Sequence, residues 1–254
     1  MIARTWALLS TEFAKLKHTA TLWLSILFPA LLFVIALISL LDEYYQGRPR
    51  AVRPLAVEWN AALRPLWTIW AAAVVPLLIA METVGLASPE HAGKHWKQLY
   101  TLPIRRWNIF AAKTAVCGLL LGMSFLIFGI GVLGLALTRS GLFHLQLGAA
   151  IPWSLMLGLA GRAYLASGAL IAIQMWLSMR YAGFAIPAGA ALAAIATGTV
   201  LAQMKLAGWW PWLMPFDSLP WGIDHVPASP VISPVVFVVV IALAGWRLSR
   251  AEVF

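Results

Sequence analysis

His91 and His95 stand four residues apart, the spacing that puts two imidazoles on one face of a helix and on one metal ion. No third ligand accompanies them, so the spacing leaves open both a zinc site and two plain histidines beside lipid headgroups or a docked protein. Between them lies Gly93-Lys94, the only Gly-Lys in the chain. A phosphate-cradling G-x-x-x-x-G-K-[ST] loop would need glycine where Ser88 stands and a hydroxyl where His95 stands. Neither H-E-x-x-H nor G-x-S-x-G occurs, so no zinc peptidase or serine-hydrolase elbow is indicated and no residue is assigned a catalytic role.

The remaining chemistry is charge. The stretch from 90 to 113, EHAGKHWKQLYTLPIRRWNIFAAK, holds Lys94, Lys97, Arg105, Arg106 and Lys113, five of the 18 basic residues of the chain. Arg162 is the one charge well inside an apolar run, where insertion scales put its cost at about 2.5 to 3.5 kcal/mol. Two readings of it stay open. It faces protein, paired with Asp217 or Asp224 or lining a pathway for an anionic group, or it snorkels to the headgroups.

These residues must be positioned in lipid. Of 254 residues 62% are hydrophobic and 11% charged, with a mean hydropathy of +0.85, against about 25% charged in a soluble domain. Crossing about 30 Å of hydrocarbon takes roughly 20 apolar residues in a helix. Six such runs appear, at about 20–41, 66–87, 107–137, 149–177, 182–205 and 231–248, which predicts an all-α polytopic membrane protein forming a single transmembrane domain. The first run has no cleavage-like site after it and is read as a retained anchor. Cys117, the single cysteine, lies in the third run, so no intrachain disulfide can form.

Orientation follows the excess of Lys and Arg on the cytoplasmic side. With both termini inside, Arg4, Lys15, Lys17, Lys94, Lys97, Arg105, Arg106, Lys113, Arg180, Arg247 and Arg250 face the cytoplasm, against Arg48, Arg50, Arg53, Arg64, Arg139 and Lys205 outside. Anionic inner-leaflet lipid is then the nearest partner for a net charge of +9, and no nucleic acid is implied.

Ahead of the first run, Trp6, Leu9, Phe13 and Leu16 share a helical face while Glu12 and Lys15 lie elsewhere as an i,i+3 pair, the pattern of an interfacial helix. Glycines at 118 and 122, and at 158, 161 and 168, suit close helix packing. The segment before the last run, KLAGWWPWLMPFDSLPWGIDHVPASP, has too many prolines for a span and reads as short outer helices or a dip into the leaflet.

In the central stretch, Ser88, Pro89 and Glu90 form a helix start with a capping hydroxyl and a first-turn proline. Trp96 and Leu99 then fall on one face and Lys94 and Lys97 largely on others, before Pro103 breaks the helix. By pattern alone this is an interfacial loop helix or a docking helix.

Glu82, the basic amphipathic segment and LYTLPIRRWNIFAAK together resemble the loop between spans two and three of ABC-2-type permeases, in which an acidic residue precedes an L-x-T-x-P-[IV]-x-R stretch ending in lysine. Leu99, Thr101, Pro103, Ile104, Arg106 and Lys113 match that pattern, and Glu12, Lys15 and Lys17 match an N-terminal E-x-x-K-x-K. The likeness is to the small bacterial permeases of lantibiotic-immunity and bacitracin-type exporters. It implies that Glu82, Glu90, Lys94, Trp96, Lys97, Leu99, Pro103, Arg105 and Arg106 couple the chain to a separate ABC ATPase dimer, which would hold ATP and Mg²⁺, while this chain binds no cofactor. It further implies a second permease, the same or a sister chain, a bacterial inner-membrane location, and export of an amphipathic peptide or lipid-like compound. An ion-coupled secondary transporter would want midplane acids or paired broken helices; a non-transporting scaffold or immunity protein would purify without an ATPase.

Overall fold

The computed structural model describes residues 10–17, 19–47, 54–92, 106–145, 151–181, 183–204, 209–222 and 229–250. Among them the secondary structure is helix without strand: α1 (10–16), α2 (Ala20–Tyr45), α3 (Leu55–Ile69), a π turn (Trp70–Val74), α4 (Val75–Ala92), α5 (Arg106–Leu142), α6 (Trp153–Ala166), α7 (Gly168–Arg180), α8 (Ala185–Gln203), α9 (Met214–Asp217) and α10 (Ser229–Arg250). In hydrocarbon every backbone N–H and C=O needs an internal partner, which a helix supplies within one segment.

Among the described residues six helical spans are long and apolar enough to cross a bilayer: Ala20–Tyr45, Leu55–Pro89, Trp107–Leu142, Trp153–Arg180, Ala185–Gln203 and Ser229–Arg247. The second begins at Leu55 rather than near 66, because α3 runs through Pro65 and continues across the π turn into α4. Its Arg64 is exposed while Trp59, Leu63 and Trp67 turn inward, an amphipathic start that an unbroken apolar run does not reveal. The helix start expected at Ser88 is also absent. Pro89 lies inside α4, which continues to Ala92; the His91 ring bonded to the Ser178 carbonyl (3.0 Å) holds that last turn on α7.

α4 is central, packed on α2, α5, α7 and α8, while α10 closes the far side against α5, α6 and α7. The end of α3 and the start of the π turn bring Trp67 and Trp70 to one buried aromatic cluster, with Trp70 stacked on Phe128 at 4.3 Å and Trp67 edge-on to it at 5.0 Å. Gly85 lets α2 approach, since a Cβ there would stand 2.0 Å from Thr21 Oγ. Gly118 and Gly122 lie against the Tyr164 ring and Gly168 against Phe237, as close packing requires, but a Cβ on Gly158 or Gly161 would meet nothing. Those two glycines face outward. The Trp- and Pro-rich segment folds back on the bundle: Leu213, Met214 and Leu219 are buried, and α9 packs on α6, α10 and the π turn.

Candidate functional site: buried polar layers under the α4–α5 loop

The start of α2, the end of α4, the start of α5 and the α7–α8 turn meet at one end of the bundle, the end richer in Lys and Arg. Three polar layers grip the last turns of α4 there. In the first, Lys113 on α5 is fully buried and donates to Glu12 Oε2 (2.8 Å) and to the Leu86 carbonyl (2.6 Å). Lys15 Nζ donates to the other carboxylate oxygen of Glu12 at 2.7 Å. One node thus ties α1, α4 and α5.

One turn deeper, Leu86 and Lys113 are succeeded on the same helix faces by Glu82 and Cys117. The Glu82 carboxylate is enclosed, accepting from Ser25 Oγ at 2.7 Å and lying 3.6 Å from Cys117 Sγ. Ser124 Oγ donates to the Ser25 carbonyl (2.8 Å), and Tyr164 Oη to the Gly118 carbonyl (3.0 Å). On the opposite side of α4, Ser178 Oγ meets Thr83 Oγ at 3.1 Å. Buried polar groups left without partners cost roughly 1–3 kcal/mol each, so these contacts fix the rotation of α4 relative to α2, α5 and α7.

Several assigned residues therefore take different places from those read in the sequence. Glu82, grouped with the coupling segment, sits inside the bundle against Ser25 of α2 and Cys117 of α5. Glu12, expected off the packed side of an interfacial helix, points into the bundle because fully buried Lys113 needs a counter-charge, while its pair with Lys15 forms as expected. Phe13 is exposed, although Leu16 of the same expected face is buried. Arg162 faces outward from α6 and makes no hydrogen bond or ion pair among the described residues; Asp217, offered as its partner, is buried elsewhere. Trp6, Leu9, Lys94, Trp96, Lys97, Leu99, Pro103 and Arg105 lie outside the described residues, as do His95 and Asp224. Glu90 lies in the last turn of α4 and Arg106 opens α5.

Ser25, Cys117 and Ser124 were passed over because each sits in a clean apolar run. The signal available was spacing: Lys113 and Cys117 share a helical face, as do Glu82 and Leu86. No group of three or more His, Cys, Asp or Glu side chains that could hold a metal occurs among the described residues. Beside these layers a cavity of about 810 Å³ opens at the same end, walled by Leu24, Met81 and Phe184 and edged by Thr19, Ser88 and His91.

The family model described as ABC-2 family transporter protein matches residues 8–198, from α1 into α8. Neither a curated protein nor a solved structure matches the chain. A match over well more than half of the sequence, in a chain with six helices among the described residues long and apolar enough to cross a membrane, places this chain in the ABC-2 transporter family as a multi-pass membrane permease of an ABC transporter.

Proposed function

We propose that the chain is one permease of an ATP-driven exporter in a bacterial inner membrane, both termini cytoplasmic, working with a second permease of the same or a sister kind. An ABC ATPase dimer holds ATP and Mg²⁺ and seats on the α4–α5 loop, through Glu90, Lys94, Trp96, Lys97, Leu99, Pro103, Arg105 and Arg106. The cargo is an amphipathic peptide or lipid-like compound of the kind handled by lantibiotic-immunity and bacitracin-type exporters.

One observation carries this reading: both roots of that loop are clamped by the same buried charge node. Leu86 on α4 and Lys113 on α5 share a hydrogen bond, and Glu12 adds α1 to it. A force applied to the loop is delivered to two spans together, and the Glu82–Ser25 contact one turn deeper extends it to α2. Glu82 is thereby a transmitting residue inside the bundle rather than a docking one. Ion-coupled transport is disfavoured because Glu82 is enclosed by Ser25 and Cys117 and faces no pathway.

The test is replacement of Gly93 through Gln98 by a flexible Gly/Ser stretch. The expected result is a six-span protein that inserts normally but no longer co-purifies with its ATPase, or permits hydrolysis without transport. Normal ATPase binding with normal transport would make the loop an ordinary interfacial segment, and purification of the unaltered chain with no ATPase would favour a scaffold.

A further inference from the structure

At the opposite end of the bundle α2, α3 and α5 leave a groove of about 260 Å³. Its walls are apolar, including Leu32, Leu66, Val132 and Leu135, and its lips, Ile35 and Ile69, are about half exposed to the flank of the bundle. From Leu32 to Glu43 along α2 it extends ~16 Å, close to the ~15 Å of one leaflet's hydrocarbon. Pockets that enclose a whole drug-sized molecule hold about 300–1,000 Å³, so this one suits a single chain with the rest of its owner outside.

The groove is apolar to its end, where charge begins. Arg139 forms the wall there and reaches Glu43 Oε2 through Nη1 at 3.3 Å, long for a charge-assisted bond, with Phe143 6.0 Å away. Its Nε is buried and has no hydrogen-bond partner. The Arg139 side chain is still about one fifth exposed beside the slot it lines, and a guanidinium has five N–H donors. Tyr44, edge-on to Phe143 at 5.8 Å, marks the level at which aromatic rings meet headgroups.

We propose that this groove binds an amphiphile with an anionic phosphate head, one acyl chain lying between α2, α3 and α5 and the phosphate on Arg139. A resident phospholipid and a free single-chain phosphate amphiphile share that chemistry. The site is independent of the ATPase-docking reading and stands or falls without it.

Native mass spectrometry of the full chain tests it, using phosphatidylglycerol and diacylglycerol of equal chain length. Wild type retains one phosphatidylglycerol and little diacylglycerol. Arg139→Gln lowers phosphatidylglycerol retention about tenfold; Ala36→Phe, which fills the slot, lowers retention of both lipids. Glu43→Gln separates anion binding from structure: it retains phosphatidylglycerol at least as well as wild type, whereas a loss equal to that of Arg139→Gln would mean the ion pair only holds α2 to α5 and would overturn the proposal. On unmutated protein, dodecyl phosphate displaces phosphatidylglycerol at concentrations where uncharged dodecyl maltoside does not; equal displacement by the two also overturns it. The adduct mass on protein taken directly from cells identifies a phospholipid or a single-chain occupant, either of which supports the site, and a chain that takes up no phosphatidylglycerol refutes it.

Discussion

Glu12→Gln keeps the shape of the side chain and removes its charge, so fully buried Lys113 loses the carboxylate it meets at 2.8 Å and keeps its bond to the Leu86 carbonyl. Removing one partner of a buried ion pair costs about 3–5 kcal/mol, two to nearly four decades in the folding equilibrium, because the other charge loses a counter-charge that water cannot replace. Lys15, about one third exposed, bridges to the same carboxylate but reaches water, so Lys15→Met should cost no more than about 1 kcal/mol. The double variant Glu12→Gln with Lys113→Met removes both charges and should return to within about 1–2 kcal/mol of the parent. The assay is a double-mutant cycle on unfolding in mixed micelles, with ATPase co-purification read on the same samples. Glu12→Gln should lose ATPase coupling as α1 detaches from α4 and α5. If it unfolds like the parent, or if the double variant is as unstable as the single one, the node is not an electrostatic clamp and the transmission argument fails with it.

Gly85→Ala drives a methyl into Thr21 Oγ and should destabilise the bundle by about 1–3 kcal/mol, with Thr21→Ala restoring most of the loss; a thermal melt of the three variants decides this. Arg162→Leu should insert at least as well as the parent, since leucine is cheaper in lipid, and should transport like it, because Arg162 faces outward; a loss of transport in a normally assembled variant would give Arg162 a place on the pathway. Ser25→Ala strips the donor from enclosed Glu82 and should cost about 1–3 kcal/mol, read by the same unfolding titration. With Cys117 replaced by alanine, a cysteine at Ala251 should react with impermeant maleimide only in opened cells; labelling from outside intact cells would reverse the topology.

By itself the sequence determined the number and kind of elements. Six apolar runs of span length leave little alternative to six helices, because lipid tolerates no unpaired backbone, and the Glu12–Lys15 pair was legible because three residues on a helix are neighbours wherever the helix goes. The LYTLPIRR stretch carried the family likeness as a local pattern. Which face each helix turns inward was not legible. Lipid and protein interior are both apolar, so hydropathy cannot separate them, and Gly158 and Gly161 proved to face out where packing was expected. The polar layers depend on long-range pairings: Lys113 meets Glu12 across 101 residues and Ser25 meets Glu82 across 57. Only the packing of α4 among its neighbours brings those groups within hydrogen-bond reach. It thereby converts a lysine read as part of a cytoplasmic basic stretch into a buried clamp, and encloses an acid that the family likeness grouped with the coupling residues.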